Sequence, residues 1–160
     1  MQAQQLLQKP AHLTWEESAS YGLTYYTAHR MLVDRAKIQP GQSVLVWGAG
    51  GGLGVFAVQL AAAVGARPIA VVSSPDRAEL CMSLGAVGVI DRSEFPGLPY
   101  RDGMTAAEEA DRVAAVKAFG RRIWEILGER TGVDVVFEHV GKTTFPASVF
   151  LANDFGRIVI

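Results

Sequence analysis

The chain has 160 residues, 49% of them hydrophobic and 19% charged, with a formal net charge of −1, which fits one globular domain or a piece of a larger one and excludes a basic nucleic-acid-binding surface or an acidic tail. The single cysteine, Cys81, excludes an intramolecular disulfide and a cysteine-rich zinc site, so no metal site is expected. No apolar run reaches the roughly 18 residues of a membrane span, and the polar start Met1-Gln2-Ala3 lacks the order of a signal peptide, so a cytoplasmic chain with neither membrane nor nucleic acid as partner is expected.

Residues 1–13 read as an extended lead-in with a turn at Lys9-Pro10-Ala11-His12. Thr14-Trp15-Glu16-Glu17 carries a cap residue with a glutamate three positions on, and starts a helix. A second helical stretch is expected at about 24–36, where Tyr25, Ala28, Met31, Leu32 and Arg35 stand near helical spacing. Gln39-Pro40-Gly41-Gln42 is a turn. Val44–Trp47 is then a short apolar strand, Gly48–Gly54 a glycine-rich turn, and Val55–Val64 a helix apolar on nearly every face, stopped by Gly65.

Pro68–Val72 is the second strand. Ser74-Pro75-Asp76 opens the next helix as cap, first-turn proline and dipole-favoured acid, and Leu84-Gly85-Ala86 ends it. Val87–Ile90 is the third strand and 91–109 a loop. Ala110–Leu127 is an amphipathic helix, Val133–Phe137 a fourth strand, about 144–151 a short helix, and Arg157–Ile160 a fifth strand. Strands and helices alternate and the strands are apolar. The fold class is therefore α/β, a Rossmann-type doubly wound parallel sheet in the order 3-2-1-4-5 with right-handed crossovers. Such a sheet usually has a sixth strand. The sequence has none after Ile160, so a truncated domain with an exposed edge is expected.

The glycines carry the first chemical signal. Gly48, Gly51, Gly52 and Gly54 lie between a strand and a helix, in a variant of the dinucleotide fingerprint. That chemistry needs a tight turn, close backbone approach to a pyrophosphate, and a helix packed near its strand. The amides at the helix start, including that of Leu53, then face the phosphates. A glycine-rich turn without ligand is the bland alternative. A P-loop is excluded because no Lys-Ser/Thr follows.

The choice of dinucleotide is made at the end of the second strand. NAD binders place Asp or Glu there for the ribose hydroxyl. Here Ser73 and Ser74 stand instead, followed by Arg77, and Arg92 follows the third strand. Hydroxyls donate to a 2′-phosphate and arginine pairs with it, so NADP(H) is the expected cofactor. The bland reading of Arg77 and Arg92 is a solvated helix or loop cation.

Several segments together resemble the zinc-independent branch of the medium-chain dehydrogenase/reductase superfamily: Lys9-Pro10, Thr27–Leu32, Pro40-Gly41, the glycine turn and Leu84-Gly85-Ala86. Val71–Pro75, Phe119–Leu127 and above all Val136-Phe137-Glu138-His139-Val140-Gly141 narrow the likeness to the crotonyl-CoA carboxylase/reductase family. The chain departs from it at Val140, where the family commonly has proline, and at His29, where it has an aromatic.

The resemblance implies that residues 1–36 belong to a junction with a substrate-binding domain, which is missing here, and 37–160 to the NADP(H)-binding domain. It implies a homo-oligomeric parent enzyme that uses an enoyl-CoA and CO2. Hydride goes to Cβ of the thioester, and the resulting enolate takes up CO2 at Cα. His139 helps to hold CO2, and Glu138 stands beside it as an orienting acid. The chain alone is expected to be inactive. Two other readings are a domain of a non-carboxylating enoyl or quinone reductase, and a non-catalytic binding module. His12 and His29 read as structural, Cys81 as a small buried apolar residue, and Trp15, Trp47 and Trp124 as core or interface. Arg121-Arg122 reads as a solvated helix face or as a patch near the adenosine diphosphate of CoA.

Overall fold

The computed structural model describes residues 8–160, so the first seven residues of the expected lead-in lie outside the described residues. The Lys9–His12 turn is present, closed by the Leu13 amide on the Pro10 carbonyl at 3.2 Å. Helix α1 spans Trp15–His29 and starts on the expected capping box, Thr14 and Glu17 each bonding the other's amide. The two helical stretches expected here are one. The helix runs through Gly22, which has open space around it, and continues into a wider turn at Arg30–Arg35, closed by the Ala36 amide on the Met31 carbonyl at 2.8 Å.

The sheet follows: β1 (Ser43–Val46), α2 (Gly52–Val64), β2 (Arg67–Val72), α3 (Pro75–Ser83), β3 (Gly88–Asp91), α4 (Ala106–Leu127), β4 (Val133–Phe137), α5 (Phe145–Leu151) and β5 (Ala152–Val159). All pairings are parallel and the order is β3-β2-β1-β4-β5, as expected. α1, α2 and α3 cover one face, over Val44, Val46, Ala70, Val72 and Phe137. α4 and α5 cover the other, over Leu45, Trp47, Ile69, Val71 and Val136. Strand residues alternate between the two cores, which is the physical content of a doubly covered sheet.

Three further elements differ from expectation. α4 begins four residues early, because Thr105 and Glu108 form a second capping box inside the expected loop. β5 begins five residues before Arg157: its register against β4 shifts between Val133 and Val135, and Phe155 takes a positive φ of 63°. α2 is buried only on the Gly54, Ala57, Val58, Ala61 face, while Gln59 and Ala63 stay exposed. Cys81 is buried and Trp47 lies in the core, stacked on Phe119 at 5.3 Å. Trp15, expected in the core or at an interface, is 76% exposed. Among the described residues no helix is long and apolar enough to cross a membrane.

Candidate dinucleotide site

The site is built where β1, β2 and β4 end. Trp47 closes the ladder through its amide on Phe137, and Gly48 then turns the chain with φ +58°, a conformation that costs an L side chain about 1–2 kcal/mol. The turn packs against itself. A Cβ on Gly54 would lie 2.4 Å from the Gly48 carbonyl oxygen and 2.6 Å from Ala49 Cα, so only glycine lets α2 approach its strand this closely. The first intrahelical bond runs from the Val55 amide to the Gly51 carbonyl at 3.0 Å. The amides of Gly52, Leu53 and Gly54 precede it and are the open donors of the helix start.

Gly48, Gly51, Ser73, Ser74, Arg77 and His139 line one cleft of about 500 Å³, completed by Gly50 and Val72. No carboxylate lines it. Gly52, Leu53 and Gly54, also expected in the site, do not line it; Gly52 is exposed, Gly54 is buried against the turn, and Leu53 packs its side chain on the core. Gly50 and Val72 were not singled out from sequence, although Gly50 lies inside the glycine turn and Val72 ends the second strand.

Ser74 holds the cap position of α3 with an extended backbone, but its hydroxyl makes no bond to that helix, contrary to the expected capping. The hydroxyl is left for the cleft. The stem of Arg77 lies over the glycine turn, so that a Cβ on Gly50 would meet Arg77 Cβ at 2.8 Å. Arg77 Nε is 3.6 Å from the Asp76 carboxylate, and both side chains are more than half exposed, which makes the pair weak. Arg92 does not join this cleft. It lines a neighbouring pocket of about 500 Å³ with Trp47, Phe95 and Thr144, and Ser73 belongs to both.

His139 follows β4. As a residue it is exposed, but its ring lies against Gly48 and meets Phe137 edge-on at 5.7 Å. Partial burial of the ring pushes its pKa below the usual 6.5, opposed by the charge of Glu138. Glu138 itself is fully buried and faces away from the cleft. Its Oε1 accepts the amides of Val140 at 2.9 Å and Gly141 at 3.0 Å and the Thr144 hydroxyl at 2.9 Å, and its Oε2 accepts the Ser148 hydroxyl at 2.6 Å. Neither Ser148 nor Thr144 was singled out from sequence, because their role depends on α5 folding back beneath β4.

Residues 52–160 match the family described as zinc-binding dehydrogenase. Among the described residues no three His, Cys, Asp or Glu side chains gather, and Cys81 is buried in α3, so these residues do not fit a zinc centre. A crotonyl-CoA carboxylase/reductase of Cereibacter sphaeroides is 45% identical over 162 residues, covering 100% of this chain and 38% of that protein. A solved crotonyl-CoA carboxylase/reductase superposes with a TM-score of 0.91 at 47% identity, over 99% of this chain and 37% of that one. A 2-octenoyl-CoA carboxylase reductase solved in complex with NADP and 2-octenoyl-CoA superposes with a TM-score of 0.83 at 40% identity, over 98% of this chain and 34% of that one. The chain spans little more than a third of the length of these relatives.

Proposed function

The chain belongs to the zinc-binding dehydrogenase family, and from that premise we propose that it is the NADP(H)-binding part of an enoyl-CoA carboxylase/reductase. One observation carries the reading: a cleft at the strand ends that joins two serines and an arginine after β2 to a histidine after β4, with no carboxylate in its lining. Likeness over the full chain to carboxylase/reductases, one of them solved with NADP, supports it.

In this proposal the glycine turn and the amides of Gly52, Leu53 and Gly54 receive the diphosphate. Ser73 and Ser74 donate to the 2′-phosphate, and Arg77 pairs with it across the mouth of the cleft. Arg92 reaches the same group from the adjoining pocket. NADPH, when bound, supplies the hydride. His139 offers its imidazole N–H to CO2 from the far side of the glycine turn, and Glu138 holds the turn that carries it. Residues 1–36 form the junction to a substrate-binding domain, and 37–160 the nucleotide-binding domain. The proposal sets the whole protein in the cytoplasm as a homo-oligomer acting on an enoyl-CoA and CO2.

A fluorescence titration of the chain with NADPH and, separately, NADH tests the reading. Clearly tighter binding of NADPH is expected. Equal binding refutes the assignment of Ser73, Ser74 and Arg77, and a folded chain that binds neither refutes the nucleotide site.

A further inference from the structure

Gly48 and His139 face the cleft on one side of the sheet. Their chain neighbours Trp47 and Glu138 face the other side, beneath α4 and α5. The phase follows from the strand period of two: Leu45 and Trp47 share the second core with Val136, and Glu138 follows Val136 onto that side. Behind the sheet the two are joined. The Trp47 indole N–H donates to Ser148 Oγ at 2.8 Å, and the Ser148 hydroxyl donates to Glu138 Oε2 at 2.6 Å. A hydroxyl has one proton, so the bridge has a single direction, from indole to serine to carboxylate.

The other carboxylate oxygen fixes the turn after His139. Its donors are the amides of Val140 and Gly141 and the hydroxyl of Thr144, which lies closer to Glu138 than to the Gly141 carbonyl, 2.9 against 3.3 Å. The Glu138 amide is also bonded, to the Val159 carbonyl at 2.9 Å. One buried side chain thus ties the end of β1, the turn after β4 and helix α5. Without it, the four bonds to its carboxylate are lost, and donors behind and beside the turn are left without that partner.

We propose that Glu138, acting through Ser148 and Trp47, is a positioning residue that sets the separation of the His139 imidazole from the glycine turn. The importance of that separation for function rests on the reading of the cleft as a dinucleotide site; the bridge itself does not. A residue that only stabilised the fold would have no reason to reach both walls of the cleft from behind. Glu138 reaches one wall through the His139 turn and the other through Trp47, one residue before Gly48.

The test uses Ser148→Ala in the 160-residue chain, which cuts the bridge and leaves the Oε1 bonds. Without nucleotide, the ring resonances and titration midpoint of His139, followed by NMR, are expected to move from their wild-type values. Affinities for NADPH and NADH are expected to fall together, about five- to tenfold for one lost buried hydrogen bond. Their ratio stays within about twofold, because Ser73, Ser74 and Arg77 lie outside the bridge. Glu138→Gln keeps the shape and removes the charge, so the His139 midpoint is expected to fall. If Ser148→Ala does not fold, Trp47→Phe cuts the same bridge from its other end, and the same shifts are expected. A lowered unfolding temperature with His139 signals at their wild-type positions would mean a structural role only, and overturns the proposal. A wild-type chain that binds neither nucleotide overturns the nucleotide reading alone, since the His139 resonances decide the positioning role without ligand.

Discussion

The imidazole of His139 occupies the space that a side chain on Gly48 would need: a Cβ built on Gly48 lies 3.0 Å from His139 Nε2 and 3.1 Å from Cε1. The glycine of the turn therefore serves two neighbours. Its positive φ lets the chain leave β1 sharply, and its missing side chain makes room for the ring arriving from β4. The two strands are adjacent in the sheet, with Val46 beside Phe137, so this contact is a direct product of the strand order.

Gly48→Ala should therefore fail twice. The left-handed backbone costs about 1–2 kcal/mol in stability, and the methyl makes the His139 ring give way by a fraction of an ångström. Thermal unfolding should show the first effect, and NADPH titration a loss of affinity larger than the stability change explains. Wild-type affinity in Gly48→Ala would show that His139 and the turn are not coupled.

Arg77→Ala separates the two nucleotides. Its exposed pair with Asp76 contributes little to the fold, so the melting temperature should hardly move. Loss of a charge-assisted contact to a phosphate is worth about 1.5–3 kcal/mol, so NADPH affinity should fall by roughly tenfold or more while NADH affinity stays nearly constant. Equal losses for the two nucleotides would remove Arg77 from the phosphate site.

Much of this was legible in the sequence for reasons that are local. The strand, glycine turn and helix over 44–64 carry their own start, stop and period, and Ser74-Pro75-Asp76 marks the start of α3 within a residue. The run Ala152–Asp154 has no strand signature, and β5 starts there because Ala152 pairs with Val133 of β4. The helices expected from Thr14 and at about 24–36 are continuous through Gly22, where nothing crowds the chain. At the site, Ser73, Ser74, Arg77 and His139 converge because parallel strands bring their ends to one edge, which the order alone dictates. The inward turn of Glu138 follows in principle from its phase with Val136. The bridge to Trp47 does not, since it depends on where α5 returns, 101 residues further along the chain.

At the opposite end of the sheet, Asp134 should make a contribution to stability that acid removes. Burial works to raise its pKa, but bonds from the Ser43 amide at 2.8 Å and hydroxyl at 2.9 Å, a bond from Asn153 and the charge of Arg157 hold it below the ordinary 3.8. A carboxyl lowered in the folded state stabilises above its unfolded pKa, and that stability is lost as pH falls through the folded value. Wild type should lose stability below about pH 4, and Asp134→Asn should be less stable at neutral pH with a flatter acid limb. Denaturant midpoints measured from pH 7 to pH 2 check this, and parallel acid limbs would contradict it.

Under the proposed function, His139 is where carboxylation and simple reduction should part. Its ring is partly buried, which pushes its pKa below the usual 6.5 despite the pull of Glu138, so near neutral pH the imidazole is uncharged, with one N–H to donate. Such a donor suits CO2, a neutral molecule with two acceptor oxygens, at the edge of a cleft that has no carboxylate to repel the carboxyl group as it forms. Asparagine keeps a donor of similar reach but not the same geometry. In the full-length protein, His139→Asn should weaken NADPH binding, as displacement of the ring does, and at saturating NADPH shift product from carboxylated towards merely reduced acyl-CoA, by about tenfold for one displaced hydrogen bond. Product analysis at fixed bicarbonate reads the ratio directly. An unchanged ratio would remove His139 from CO2 handling and favour a reductase in which the same histidine serves only to close the cleft.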